Sequence, residues 1–145
     1  MKREKMEYKL KKELDHQRFA HTLGVEETAR KMARIFGVDE EKASLAGLLH
    51  DCAKCMPLSE MQQIAKEHRL LIDKITFQNG NLLHGPVGAV VAEQDYGITD
   101  PNVLAAIRCH TTGKADMNLL EKIIYVADYV EPNRDFPGVE ELRNL

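Results

Sequence analysis

Cysteine is scarce. Three residues, Cys52, Cys55 and Cys109, supply no disulfide framework. Cys52 and Cys55 spell C-x-x-C, but a structural zinc site wants a second pair, and Cys109 stands alone. No strand pattern precedes the pair, as a redox motif would require. Long apolar runs are also missing, and nothing approaches the roughly 20 residues of a membrane span. The segment Met1 to Glu7 is charged and has no apolar signal core, so a cytoplasmic location is expected. There is no excess of positive charge. At a net charge of −3 the bulk field does not draw polyanions, which argues against nucleic acid as a partner. A phosphorylated ligand would have to be held by local cations or metal ions. No internal repeat, linker or low-complexity tract breaks the chain, and no segment alternates with period two for long enough to be a strand.

What remains is the composition of a soluble globular protein, 43% hydrophobic and 30% charged. A length of 145 residues favours one domain over residues 1–145. Its patterning is helical. Arg18, His21, Val25, Ala29, Met32 and Phe36 recur at steps of three and four, with Gly37 as a stop. Asp39 is an N-cap for a helix running to His50-Asp51 and ending before Pro57. Ser59 to Gln62 reads as a capping box opening a short helix that ends near His68. Residues 73–83 carry a weaker signal, with Asn79-Gly80-Asn81 as a turn. Pro86 fits the first position of a helix ending at Gly97, and Pro101 opens another that reaches His110. Asn118 with Glu121 starts a helix carrying Asp128, and Pro132 and Pro137-Gly138 break it. The expected architecture is an all-α bundle with a site built from facing helices.

The chemistry begins at His50-Asp51, an imidazole and a carboxylate closing the apolar run Leu45-Ala46-Gly47-Leu48-Leu49. A charged carboxylate there is costly to bury alone, and a metal ion would remove that cost. Asp128 raises the same demand, set between Val126-Ala127 and Tyr129-Val130. A lone histidine on an inward face is more often a satisfied core residue than a ligand. The set changes that reading, because His21, His50, His84 and His110 all fall where a helix faces the core, begins or ends.

Adjacent helical residues point about 100° apart, so His50 and Asp51 can flank one ion while Asp51 reaches a second. A first ion would take His21, His50, Asp51 and Asp128, and a second Asp51, His84 and His110. These donors suit iron, manganese, cobalt, nickel or zinc. Two such ions about 3.5–4 Å apart lower the pKa of a bridging water and clamp a phosphoryl group. Arg18, Lys54 and Arg134 lie near the ligands in sequence and would neutralise phosphate charge. Thr111 and Thr112 would either donate to phosphate or cap the helix ending at His110.

The order His21…His50-Asp51…Asp128 resembles the HD-domain phosphohydrolase superfamily. Five blocks look like its YqeK family. They are Arg18 to Leu23, Gly47 to Lys54, Leu83 to Ala89, Ala106 to Gly113 and, most specifically, Ile124 to Arg134 continuing to Gly138. The resemblance implies an HD helical bundle and symmetrical bis(5′-nucleosyl)-tetraphosphatase activity, hydrolysing diadenosine tetraphosphate to two ADP at a di-iron centre. It implies metal ligands His21, His50, Asp51, His84, His110 and Asp128, all present here. Asp51, Lys54 and Arg134 are then expected in catalysis, and Arg18, Lys54, Thr111 and Arg134 in holding substrate. A homodimer is a family-level expectation, as is a longer C-terminal part than this chain contains.

Other readings are an HD-type nucleotidase acting on (deoxy)nucleoside triphosphates and a non-catalytic, metal-dependent nucleotide-binding module. The cyclic-dinucleotide branch is disfavoured because no Gly-Tyr-Pro follows the His-Asp pair. A ferritin-like di-iron centre would need two Glu-x-x-His motifs, and Glu13 to His16 supplies one. His16 and His68 are expected at the surface.

Overall fold

Nine helices follow one another with no strand between them: α1 (Arg3–Glu13), α2 (His16–Phe36), α3 (Glu40–Leu49), α4 (Leu58–Glu67), α5 (Lys74–Phe77), α6 (Gly80–Tyr96), α7 (Pro101–Cys109), α8 (Leu119–Val130) and α9 (Val139–Arg143). This is a computed structural model describing residues 1–145. None of its helices is long and apolar enough to cross a membrane.

Most boundaries follow from local chemistry. Asp15 accepts from the Arg18 amide, Asp39 from the amides of Glu41 and Lys42, and Asp100 from that of Asn102. Asn118 and Glu121 close a reciprocal capping box at the head of α8. Gly37 and Gly97 end α2 and α6 in the left-handed region, at φ 73° and 72°.

Three boundaries and two whole helices differ from expectation. The helix α3 ends at Leu49, so His50 is its C-cap and Asp51 begins a run of turns. The helix α4 begins at Leu58 behind Pro57, and Ser59 sits inside it rather than capping it. α1 and α9 were not foreseen. The largest difference is α6, which starts at Gly80, so Pro86 lies in its interior. Proline removes the N–H that would bond the carbonyl four residues back, at Leu82. The Thr111 hydroxyl donates to that carbonyl instead, at 2.7 Å. Gly85 makes this approach feasible, since a Cβ there would lie 2.5 Å from Thr111 Oγ1 and 2.8 Å from the Arg108 carbonyl oxygen.

The core is one cluster of 29 buried apolar residues running from Met6 to Ala127. Within it α2 lies along α3 and α8, α3 meets α7 and α8, and α6 packs on α7. Gly47 lets α3 press onto α2, because a Cβ there would come within 3.0 Å of Glu26 Cα. The Glu26 carboxylate, buried at this crossing, accepts from Arg3 of α1 and from Ser44 Oγ of α3 at 2.7 Å. One paired charge thus ties three helices together. The arrangement brings α2, the α3 end, α6, the α7 end and α8 around one polar centre.

Candidate active site

His50 and His110 are the C-caps of α3 and α7. The last carbonyls of a helix lack intrahelical partners, and each ring uses one. His50 Nδ1 donates to the Gly47 carbonyl and His110 Nδ1 to that of Ile107, both at 2.7 Å. His84, inside α6, donates from Nδ1 to the Gly80 carbonyl at 3.1 Å. His21, on α2, donates from Nδ1 to Glu131 Oε2 at 2.6 Å. With Nδ1 engaged on all four rings, every Nε2 points to the same place.

There the nitrogens crowd together. His84 Nε2 lies 3.1 Å from His110 Nε2, and His50 Nε2 lies 3.3 Å from His21 Nε2. Asp51 stands between the pairs. Its Oδ1 is 3.0 Å from His84 Nε2 and 3.3 Å from His110 Nε2, and its Oδ2 is 3.2 Å from His50 Nε2. Asp128 Oδ1 lies 2.7 Å from His21 Nε2 and 3.6 Å from His50 Nε2. All four imidazoles and Asp51 are buried.

This donor set fits divalent cations. Where both Nδ1 atoms donate to backbone, as in His84 and His110, two Nε2 lone pairs face each other across 3.1 Å beside a carboxylate. Lone pairs repel, and a cation between them turns that repulsion into coordination. Two triads, His21, His50 and Asp51 on one side and Asp51, His84 and His110 on the other, each gather ligand atoms within 4.8 Å, and Asp51 belongs to both. A third, His50, His110 and Asp128, spans the two sides.

Without an ion, protons answer the buried carboxylates. Burial disfavours a charged His50, but the charges of Asp51 and Asp128 outweigh it and push its pKa up to about 10. Burial alone would raise Asp51, and the facing histidines, His50 foremost, hold it well below the usual carboxylate range. Asp128 is likewise held low, by His21 and His50 against burial. Burial draws His84 and Lys54 down.

A cavity of about 360 Å³ opens above Asp51, His84, His110 and Asp128. Arg18, Lys54, Thr111 and Arg134 line it, so the foreseen cations and hydroxyl do meet at one place. Arg18 Nη1 reaches Asp51 Oδ2 and Arg134 Nη2 reaches Asp128 Oδ1, each at 3.1 Å. Lys54 lies in the turns after α3, where its Nζ donates to Asn81 Oδ1 at 2.7 Å. Thr111 spends its proton on the Leu82 carbonyl, so toward the cavity its hydroxyl has lone pairs to offer rather than a donor. Thr112 is exposed and bonds the Gly113 carbonyl.

Sequence reading missed Glu131, fully buried behind His21. Its signal was the spacing of three residues from Asp128, one helical turn along the same face. It also missed Asn81, which holds Lys54.

Residues 18–133 match the model of the HD domain. The chain belongs to the HD-domain family. This HD-domain chain is 48% identical over 134 residues to a Halalkalibacterium halodurans protein named bis(5′-nucleosyl)-tetraphosphatase, symmetrical, covering 92% of this chain and 71% of that one. It is 46% identical to a Bacillus subtilis protein of the same name, over all of this chain and 77% of that one. A crystal structure from Clostridium acetobutylicum, described as a predicted HD superfamily hydrolase involved in NAD metabolism, superposes with a TM-score of 0.96. The two are 44% identical, and the match covers 99% of this chain and 76% of that one.

Proposed function

We propose that this HD-domain chain is a metal-dependent phosphoanhydride hydrolase that cleaves diadenosine tetraphosphate symmetrically into two ADP. The observation that carries the reading is the convergence of four histidine Nε2 atoms and two carboxylates beneath a cavity bordered by Arg18, Lys54 and Arg134. The substrate comes from the names of the relatives at 48% and 46% identity.

His21, His50, Asp51 and Asp128 would hold one divalent ion, and Asp51, His84 and His110 a second. When bound, such ions supply Lewis-acid charge and a water nucleophile of lowered pKa. Iron is favoured by the family resemblance, and the nitrogen and oxygen donors also accept manganese, cobalt, nickel or zinc.

The chain's own residues position and neutralise. Asp51 turns one oxygen to each half of the donor set, which fixes the two halves relative to each other. Arg18 and Arg134 present unused N–H donors to phosphate oxygens. Lys54, steadied by Asn81, places an ammonium over the same cavity. Phosphoryl transfer asks mainly for such charge neutralisation and alignment. ADP is a good leaving group, so no strong general acid is required.

The test is to separate the nucleotides after incubating the metal-loaded protein with diadenosine tetraphosphate. ADP as sole product, lost on chelation, is expected. AMP with ATP contradicts symmetrical attack, and no turnover contradicts the substrate.

A further inference from the structure

Beside the cavity over the donor set lies a second hollow of about 230 Å³, walled by Gln17, Ala20, His21, Glu131 and Asn133. Arg18 and Arg134 line both spaces. The two guanidiniums therefore stand at a shared border. Each is anchored to a carboxylate of the donor set at 3.1 Å, yet their side chains remain 28% and 35% exposed. Lys54, Asn81 and Thr111 line only the larger cavity, on the His84 and His110 side. The smaller hollow opens on the His21 side.

We propose that the smaller hollow seats the second nucleoside diphosphate arm of the substrate. The inference rests on the symmetrical cleavage proposed above. Cleavage at the central anhydride leaves two equal, highly charged diphosphates, one on each side of the donor set. Each needs cations along its path, since phosphate is held by charge-assisted hydrogen bonds. One arm meets Lys54 in the larger cavity. The other passes between Arg18 and Arg134 into the smaller one.

Among the hollow's remaining polar groups, the Glu131 carboxylate is taken up by His21 Nδ1 and the Asn133 backbone amide, which leaves Asn133 and Gln17 to meet a ribose phosphate. Asn133 is held by its Nδ2, which donates to the Ala20 carbonyl at 3.1 Å, and by its amide, which donates to Glu131 Oε1 at 2.6 Å. Its Oδ1 is left to accept from a ribose hydroxyl. Gln17 is exposed at the rim and offers both an amide donor and an acceptor. A space of about 230 Å³ is smaller than a pocket enclosing a whole drug-sized ligand. It takes the sugar and phosphate and leaves the base outside, so this arm reads the base weakly.

The test counts ADP molecules bound to the metal-loaded full chain by equilibrium dialysis, for the wild type and Gln17→Glu. The new carboxylate stands at an exposed position and repels a phosphate without touching the core. Two ADP per wild-type chain and one per Gln17→Glu chain are expected, with KM for diadenosine tetraphosphate raised about tenfold, equivalent to about 1.4 kcal/mol of binding. One ADP in the wild type, or two in the variant at undiminished affinity, overturns the second seat. The products of wild-type turnover judge the catalytic reading separately. ADP alone keeps that reading whatever the count, and AMP with ATP, or no turnover, removes it whatever the count.

Discussion

Glu131 Oε2 accepts a hydrogen bond from His21 Nδ1 at 2.6 Å, and the carboxylate is fully buried against α2. Gly24 makes the space, because a Cβ there would collide with Oε1 of the same carboxylate. Arg143 of α9 braces the segment from behind, donating to the carbonyls of Val130 and Glu131 at 2.8 Å and of Arg134 at 2.7 Å. Such a partner fixes the tautomer of a ligating histidine and raises its basicity. Glu131→Gln is therefore expected to lower metal affinity about 10- to 100-fold in competition against a chelator. Gly24→Ala should act in the same direction by displacing the carboxylate. Unchanged affinity in both variants would make Glu131 a packing residue.

Thr111 substitutes for the missing amide of Pro86. Thr111→Val removes the donor and leaves the Leu82 carbonyl unsatisfied in a crowded place, a loss of about 1–3 kcal/mol. The melting temperature should fall, and Thr111→Ser should restore most of it. Equal stability of the valine variant would mean that water serves that carbonyl.

The fold and the site were legible in the sequence to different depths. His50-Asp51 stood out because a charged pair closes an apolar run, and Asp39, Pro101 and Asn118 gave helix starts directly. Pro86 misled because proline usually opens a helix. The feature that permits it inside one, Thr111 reaching Leu82 from 29 positions away, exists only in three dimensions. α1 was obscured by its charge, since only Met6 and Leu10 of its eleven residues are buried. The geometry of the site was legible only in kind. Sequence offered six donors, whereas the facing of the Nε2 atoms depends on carbonyls at Gly47, Gly80 and Ile107 that carry no residue signature.

Arg134 and Lys54 touch the cavity but belong to none of the triads of ligand atoms. Arg134→Ala and Lys54→Ala should retain metal and lose catalytic efficiency, by about 10-fold or more in kcat/KM. Metal loss in either variant would reassign that residue from phosphate to the ligand shell. Elemental analysis alongside steady-state kinetics separates the two.

The metal-free protein should lose stability as pH rises. The folded-state pKa of His50 lies at about 10, above its ordinary value near 6.5, so its proton favours the folded state. That contribution is complete below pH 6.5 and declines as pH approaches 10. Thermal melts of chelated protein between pH 6 and 10 should show a falling midpoint, and metal loading near neutrality should release protons. A midpoint that rises across that range would contradict a protonated His50.

On the proposed function, hydrolysis depends on ions held by the converging histidines and Asp51. Anaerobic titration of chelator-treated protein with Fe(II), following bound metal and diadenosine tetraphosphate hydrolysis in the same samples, tests it most directly. Activity should rise with occupancy to two equivalents per chain, and His50→Ala should bind less metal and hydrolyse nothing. Full hydrolysis in protein stripped of metal, or an active His50→Ala variant with no ion bound, would contradict it.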